Sequence, residues 1–169
     1  MAILKLPLPT YTKMRQDLLP QRHRTEEAGF LFVVPDGDGT FKHVDWFPVP
    51  ANGFASRSAY HLELSDETRA TIIKRAHDLG ASLVELHSHI GRGPARFSPS
   101  DLAGFLDFVP HVFWRLKNRP YFAVVLTRSG FDGFAWRRSP DGPERLRGIQ
   151  MEDRLLTPSG LSPFPTADR

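Results

Sequence analysis

The order of the apolar runs is the feature that most constrains the fold of this 169-residue chain. Runs of strand length alternate with two longer segments that show helical periodicity and begin at a capping serine. The predicted strands are 28–34, 40–49, 82–90, 121–127 and 131–138, and the predicted helices are 65–79 and 98–116. Strands and helices in this mixed order predict a single α/β domain, in which a mixed β-sheet is flanked by helices.

Proline residues shape the predictions at the start of the chain and in the second helix. Pro7 and Pro9 cannot donate to a sheet ladder, so residues 1–8 are expected at a sheet edge. A short helix is predicted next, over 10–19. Pro110 is expected to make the second helix irregular or to break it, because proline removes a helical hydrogen bond.

Short polar stretches between the apolar runs predict turns and loops. Residues 36–39 read Asp-Gly-Asp-Gly and resemble part of a calcium loop, but its twelfth position would be Phe47 where a glutamate is needed. We therefore predict a hairpin turn at 36–39. Residues 52–60 are predicted to form a loop, and 61–64 a short strand.

The C-terminal part is predicted to contain one last strand and then to lose regular structure. The strand is predicted over 146–151. Residues 156–169 are rich in proline and serine, and such segments bury too little apolar surface to fold. We therefore expect a folded domain over 1–155 and a disordered tail over 156–169.

Composition limits the chemistry that the chain can perform. It contains no cysteine, so a bound metal must take its protein ligands from His, Asp or Glu. No apolar run approaches the roughly 20 residues of a membrane helix, and the N-terminus lacks the features of a signal peptide. We expect a cytoplasmic protein. The net charge of +3 is small, so its arginine clusters are interpreted as a solvated surface.

Two histidines near the end of a predicted strand are candidates for metal ligands. His87 and His89 are separated by one residue, so in a strand they point to the same face with Cα atoms about 6.6 Å apart. Two imidazoles at that spacing can converge on one ion about 2.0–2.1 Å from each nitrogen. A pair of histidines at this spacing also occurs by chance, so a third ligand is needed to support the prediction.

Asp101 is the candidate for the third ligand. It follows a glycine-containing loop and lies in the first turn of the second predicted helix, where the chain can return over the strand end. The segment 98–101 also has a purely structural interpretation, with Ser98 as helix cap, Pro99 in the first turn and Asp101 as capping-box acid. The two interpretations are compatible, because a capped first turn is a rigid mount for a ligand.

These elements together resemble the signature of the JAMM metalloproteases of the MPN/JAB domain family. The resemblance covers about 10–138 and comprises Glu-x-x-Gly at 26–29, His-x-His at 87–89 and Ser-x-x-Asp at 98–101. It implies a cytidine-deaminase-like fold and a Zn²⁺ ion bound by His87, His89 and Asp101. Ile90 departs from the family pattern, which often has proline there. The loop after it is short and leaves little room for the substrate-clamping insertion of eukaryotic deubiquitinases.

The resemblance also implies two catalytic residues. Glu26 would be the general base that takes a proton from the zinc-bound water, and Ser98 would donate a hydrogen bond to the oxyanion. Glu26 and Glu27 are adjacent at the start of a strand and point in opposite directions, so only one of them can serve as the base. The choice of Glu26 depends on the family spacing to the glycine at position 29. Glu85 shares the histidine face and is a rival, although it is expected to be a residue that supports the ligands or lies at the surface. The other histidines have no paired spacing: His23, His43, His61, His77 and His111.

The resemblance suggests a substrate class. It implies a hydrolase that cleaves the amide bond after the C-terminus of a ubiquitin-like protein, either in a conjugate or in a precursor. Partners would include that modifier and an activating or conjugating enzyme system; neither nucleic acid nor a membrane is expected. Arg57, Arg92 and Arg96 are candidates for contact with an acidic partner, with plain solubility as the equal alternative.

Two other classes of function remain open. The chain could be a catalytically inactive MPN scaffold, although such scaffolds typically lack the ligand residues. It could also be a DNA-associated protein of the RadC type, whose members carry His-x-His and Ser-x-x-Asp as well. The Glu-x-x-Gly element and the lack of a helix-hairpin-helix region argue against that alternative.

Overall fold

The computed structural model describes residues 1–22 and 24–166 and shows a single α/β domain. Three α-helices, one 3₁₀-helical turn (Ala51–Gly53) and eleven strands are present in this part of the chain. The helices are α1 (Leu8–Leu18), α2 (Asp66–Leu79) and α3 (Pro99–Arg115). The strands are β1 (Ile3–Lys5), β2 (Ala28–Pro35), β3 (Thr40–Pro48), β4 (Phe54–Arg57), β5 (Leu62–Leu64), β6 (Ser82–Ser88), β7 (Tyr121–Thr127), β8 (Gly130–Trp136), β9 (Glu144–Arg145), β10 (Gly148–Met151) and β11 (Arg154–Leu156).

Nine of these strands form one mixed sheet, in the order β11-β10-β1-β3-β2-β6-β7-β8-β9. β6 lies inside it, antiparallel to β2 and parallel to β7. Strands β4 and β5 form a separate antiparallel pair. The sequence predictions of α2, β2, β3, β6, β7 and β8 and of the turn between β2 and β3 are confirmed within a few residues. β4 was not predicted and occupies part of the expected loop 52–60.

The sheet is covered on both faces. On one face, side chains of α2 and α3 pack against β2, β6 and β7 in a core that includes Ile72, Phe105 and Phe134. On the other face, Met14 and Leu18 of α1 lie in a second core. β6 is buried between the two cores, so its alternate side chains, including those at the candidate metal centre, point into different environments. No helix in the described part of the chain has the length and apolarity that a bilayer crossing requires.

The prediction of an edge segment at residues 1–8 is wrong. β1 lies inside the sheet and is parallel to both β3 and β10. Pro7 and Pro9 do not interrupt these ladders, because both lie after the strand. Pro7 is the N-terminal cap of α1, and Pro9 lies in its first turn, where the missing N–H has no helical acceptor.

The prediction of a break in α3 is also wrong. The helix is continuous through Pro110. The carbonyl that proline leaves without a helical donor belongs to Leu106, a residue that is 40% exposed. This part of the helix is at the surface, where water can satisfy that carbonyl, which reduces the penalty of an internal proline.

Residues 157–166 pack against the domain, whereas the sequence predicted a disordered tail from 156. Ser162 is fully buried, and its backbone and side chain are hydrogen-bonded to three other segments. These contacts join residues far apart in sequence, so composition did not reveal them. The last three positions of the predicted tail, 167–169, lie outside the described residues.

Candidate metal centre

The central position of β6 fixes the first histidine. His87 lies opposite Ala28 of β2 and Val125 of β7, and it is 2% exposed. His89 follows the end of the strand, but its backbone N–H still donates to the carbonyl of Leu126, at 2.9 Å. The extended conformation therefore continues past the strand end, and the two imidazoles lie on one face with ring centroids 5.0 Å apart.

The N-terminal cap of α3 fixes the aspartate. The Asp101 N–H donates to Ser98 Oγ at 3.1 Å, and the Ser98 N–H donates to Asp101 Oδ2 at 2.8 Å, which forms a complete capping box. This reciprocal pair restricts the Asp101 side chain to one orientation. In that orientation Oδ2 also lies 3.1 Å from Nε2 of both His87 and His89.

The three candidate ligand atoms therefore meet at one place. The Nε2 atoms of His87 and His89 are 3.2 Å apart, and each is 3.1 Å from Asp101 Oδ2. Ligand atoms about 2.0–2.1 Å from a tetrahedral zinc ion are about 3.3 Å from one another. The separations in this structure fit such a centre closely, and the donor set of two imidazoles and one carboxylate is of a type that zinc accepts.

Charge within the cluster changes the protonation of its members. Burial lowers the pKa of His87, but the Asp101 carboxylate, with Glu85 and Glu26, outweighs burial and raises that pKa to about 9. Burial would raise the pKa of Asp101, but His87, His89 and the Ser98 N–H hold it well below its usual range. Without a metal, His87 and Asp101 thus form a charged pair at neutral pH. A cation that enters must displace the His87 proton.

Glu26 lies beside the cluster, just before β2. It is 4% exposed, its backbone N–H donates to the Ser58 carbonyl, and its Oε1 is 3.6 Å from His89 Nε2. Burial raises the pKa of Glu26, against the opposing charges of His87 and His89. A buried carboxylate with a raised pKa, next to a candidate metal centre, can accept and return a proton.

The neighbouring Glu27 points away from the cluster. Its Oε2 accepts a hydrogen bond from the Arg57 guanidinium at 2.7 Å, and both side chains are partly exposed. The alternation of adjacent side chains therefore puts Glu26, and not Glu27, next to the histidines. Arg57 is held by this ion pair, whereas Arg92 and Arg96 are exposed at the surface.

Glu85, the rival carboxylate, lies two residues before His87 on β6 and is partly buried. It accepts a short hydrogen bond from the Tyr121 hydroxyl, and burial raises its pKa. It lines a cavity of about 220 Å³ together with His87, Asp101 and Arg69. Glu85 thus faces the same cavity as two candidate ligands, but its short bond to Tyr121 occupies one of its oxygens. Tyr121 was not singled out by the sequence, which shows it only as the start of an apolar strand.

Ser98 and the remaining histidines occupy different places. Ser98 Oγ is an acceptor in the capping box and lines a cavity of about 310 Å³ with His89, Arg96 and Pro163. His61 is exposed and lines the cavity next to His87. Three of the other histidines are not part of the cluster: His43, His77 and His111. His23 lies outside the described residues.

Gly29, the glycine of the Glu-x-x-Gly element, has a packing role that the structure explains. A Cβ atom at this position would overlap the ring of Trp46 on β3. That ring cannot easily move, because its Nε1–H donates to Asp17 Oδ2 at 2.8 Å. The glycine therefore lets the indole lie across β2.

Replacing Gly29 by alanine is expected to lower the free energy of unfolding by about 1–3 kcal/mol, because the added methyl group overpacks the site. Urea unfolding followed by tryptophan fluorescence measures the change. Gly104→Ala on α3 is the matched control, since nothing lies within 4 Å of its would-be Cβ. Alanine favours a helix, so this control is expected to be neutral or stabilising. A Gly29→Ala variant as stable as the wild type would contradict the packing role.

Comparisons with known proteins bear on the fold alone. No family model matches the sequence, and no curated protein matches it. The structure is similar to the solution structure of protein DSY2949 from Desulfitobacterium hafniense, with a TM-score of 0.53 and 20% sequence identity. The match covers 90% of this chain and 94% of that chain. At this level of identity, the chain shares an architecture with that protein, and its chemistry has to be argued from its own residues.

Proposed function

We propose that this protein is a zinc-dependent (iso)peptidase of the JAMM type, with an MPN/JAB, cytidine-deaminase-like fold, acting in the cytoplasm. The observation that carries the proposal is the convergence of His87, His89 and Asp101 with a buried carboxylate, Glu26, beside them. The ligand separations suit a tetrahedral ion that keeps one position open, as catalytic zinc sites do. The resemblance of three separated sequence elements to the family signature supports the same conclusion.

In this proposal each residue has a distinct task. His87, His89 and Asp101 hold the ion, and the capping box keeps Asp101 in place. A zinc ion held there would supply a Lewis acid for the substrate carbonyl and would lower the pKa of a water molecule towards about 7. Glu26 accepts the proton of that water and later returns it to the leaving amine. The Ser98 hydroxyl accepts from the Asp101 N–H, so its own proton is free to stabilise the developing oxyanion.

The substrate that the resemblance favours is a ubiquitin-like protein whose C-terminus forms the amide. The amide nitrogen would belong to a lysine of a target or to the following residue of a precursor. Extended tails can bind by adding a strand to the edge of a sheet. The partners would then be the modifier and the enzymes that activate or conjugate it.

Zinc binding tests the first half of the proposal and is expected to be coupled to proton release. Because the pKa of His87 is raised to about 9, this side chain carries a proton at pH 7 that zinc must displace. We expect one zinc per chain by elemental analysis. We also expect the release of at least about one proton, measured calorimetrically in two buffers of different ionisation enthalpy. Zinc binding without proton release, or with an affinity independent of pH between 7 and 9, would contradict the ligand assignment.

Cleavage tests the second half. Two substrates separate the bond types: a ubiquitin-like protein ending in Gly-Gly fused linearly to a reporter, and the same protein joined to a lysine side chain. Zinc-dependent release of the reporter from either one supports the proposal. Lack of zinc would favour an inactive scaffold. DNA binding with a steep salt dependence and no amide cleavage would favour the RadC-type alternative.

A further inference from the structure

The loop between His89 and α3 depends on other segments for its conformation. Residues 90–98, here called the ligand loop, contain no helix or strand, and Gly91 has a φ of +145° that favours glycine. Three side chains from outside the loop bind its backbone. Ser129 donates to the Gly93 carbonyl, Ser159 donates to the Ala95 carbonyl, and Ser162 accepts from the Phe97 N–H. Two of these three belong to the C-terminal segment.

The C-terminal segment 157–166, here called the strap, is itself anchored to the domain. Asp132 of β8 is 1% exposed, and its two carboxylate oxygens accept from the backbone N–H groups of Gly160 and Ser162, at 3.1 and 2.9 Å. Arg145 donates to the Ser162 carbonyl at 2.9 Å, and its guanidinium lies over the Phe164 ring. Ser162 is thus fixed on both sides and is fully buried.

Ser162 is connected to two ligands of the candidate metal centre through Phe97. The Phe97 N–H donates a hydrogen bond to Ser162 Oγ at 2.9 Å. The Phe97 ring packs against the His87 ring, with centroids 5.8 Å apart, and edge-on against Phe105 of α3, at 5.1 Å. The next residue, Ser98, forms the capping box that orients Asp101. A shift of Phe97 would therefore disturb one histidine and the carboxylate together.

We propose that Ser162 is a positioning residue for the metal centre, and that the strap thereby controls how tightly the chain holds its ion. This inference rests on the proposed function, because it assumes that His87, His89 and Asp101 bind zinc. Groups that orient metal ligands from behind typically change the affinity 10–100-fold when they are removed. Ser162 acts one step further away, through the backbone of Phe97 and the packing of its ring.

The test compares zinc affinity in the wild type and in Ser162→Ala, by competition with a chromophoric chelator. The variant leaves the buried Phe97 N–H without its acceptor, so the loop is expected to shift and the dissociation constant to rise about tenfold. The visible absorption of the Co²⁺-substituted protein is expected to change in position and intensity, because it reports ligand geometry. Leu161→Ala is the control: it shortens a side chain of the strap that is 51% exposed and leaves the hydrogen bonds of Ser162 in place, so its affinity should stay within about twofold of the wild type.

A second variant keeps the inference testable if Ser162→Ala does not fold, as judged by near-ultraviolet circular dichroism of the metal-free protein. In Asp132→Asn the side chain keeps its shape, but its NH₂ group faces one of the two backbone N–H donors of the strap. This variant is therefore also expected to raise the dissociation constant for zinc. If the wild type binds zinc, and a folded variant of Ser162 or Asp132 matches its affinity and its Co²⁺ spectrum, the positioning role is wrong while the proposed function stands. If the wild type binds no zinc, the proposed function itself fails.

Discussion

Glu26→Gln is expected to lower kcat for amide hydrolysis by about 10²–10⁴-fold, the range by which a positioned acid or base usually contributes. Glutamine has nearly the same size and can fill the same buried position next to His89. It cannot accept the proton of the attacking water, and it has no proton to return to the leaving amine. The metal should remain, because Glu26 is not one of the three converging ligands. Zinc content, metal affinity and steady-state cleavage of the same substrate measure these effects.

Two matched variants make this prediction sharp. Glu27→Gln removes the adjacent carboxylate, which faces Arg57, and should leave kcat within a few-fold of the wild type. Glu85→Gln removes the rival carboxylate on the histidine face, which accepts a hydrogen bond from the Tyr121 hydroxyl. This variant should lower kcat less than Glu26→Gln does. A Glu26→Gln enzyme that remains fully active, or a Glu85→Gln enzyme that loses more activity than Glu26→Gln, would show that the base is misassigned.

The elements that could be predicted from the sequence are those with local signals. Ser65 accepts a hydrogen bond from the Thr68 N–H, and Gly80 has a φ of +63°, so the signals for the start and end of α2 are complete within the segment itself. The place of β1 has no such signal. It depends on pairing with β10, at the other end of the chain, and the prolines after β1 suggested the opposite. The strap was missed for the same reason, since Ser162 is held by Asp132 and Arg145.

In the candidate site, too, some features follow from local sequence signals and others depend on long-range contacts. The shared face of His87 and His89 follows from strand geometry, and the orientation of Asp101 follows from a capping box that is readable in four residues. What brings the histidines and the aspartate together is the loop between them, whose conformation depends on Ser129, on the strap and on the buried Phe97 ring. Likewise, the pairing of Glu27 with Arg57 could not be inferred from spacing. Local rules thus gave the candidate ligands, and long-range packing determined their separations.

Asp101→Asn is expected to weaken zinc binding by more than about 100-fold, since removal of a group that merely supports a ligand already weakens it 10–100-fold. A neutral amide oxygen is a poorer donor to zinc than a carboxylate, and the ligand set loses its one negative charge. The helix should persist, because the asparagine oxygen can still accept from the Ser98 N–H. Competition with a chelator measures the affinity. Asp107→Asn is the control for loss of an exposed negative charge on the same helix.

The metal-free form of this variant provides an independent readout, because Asp101 contributes most among the groups that raise the pKa of His87. In the wild type that pKa is about 9, above the usual value of 6.5. The charged pair therefore stabilises the fold fully between the usual pKa values of its two members, 3.8 for Asp101 and 6.5 for His87, and its contribution disappears as the pH rises through 9. Asparagine removes the largest contribution that opposes burial, so the His87 pKa should fall, and an NMR titration of the imidazole measures the change. The wild type should then be the more stable protein at pH 6, and the two should converge above pH 9. A His87 pKa that is the same in both proteins would mean that Asp101 does not interact with the imidazole, and the convergence on which the metal centre depends would not exist.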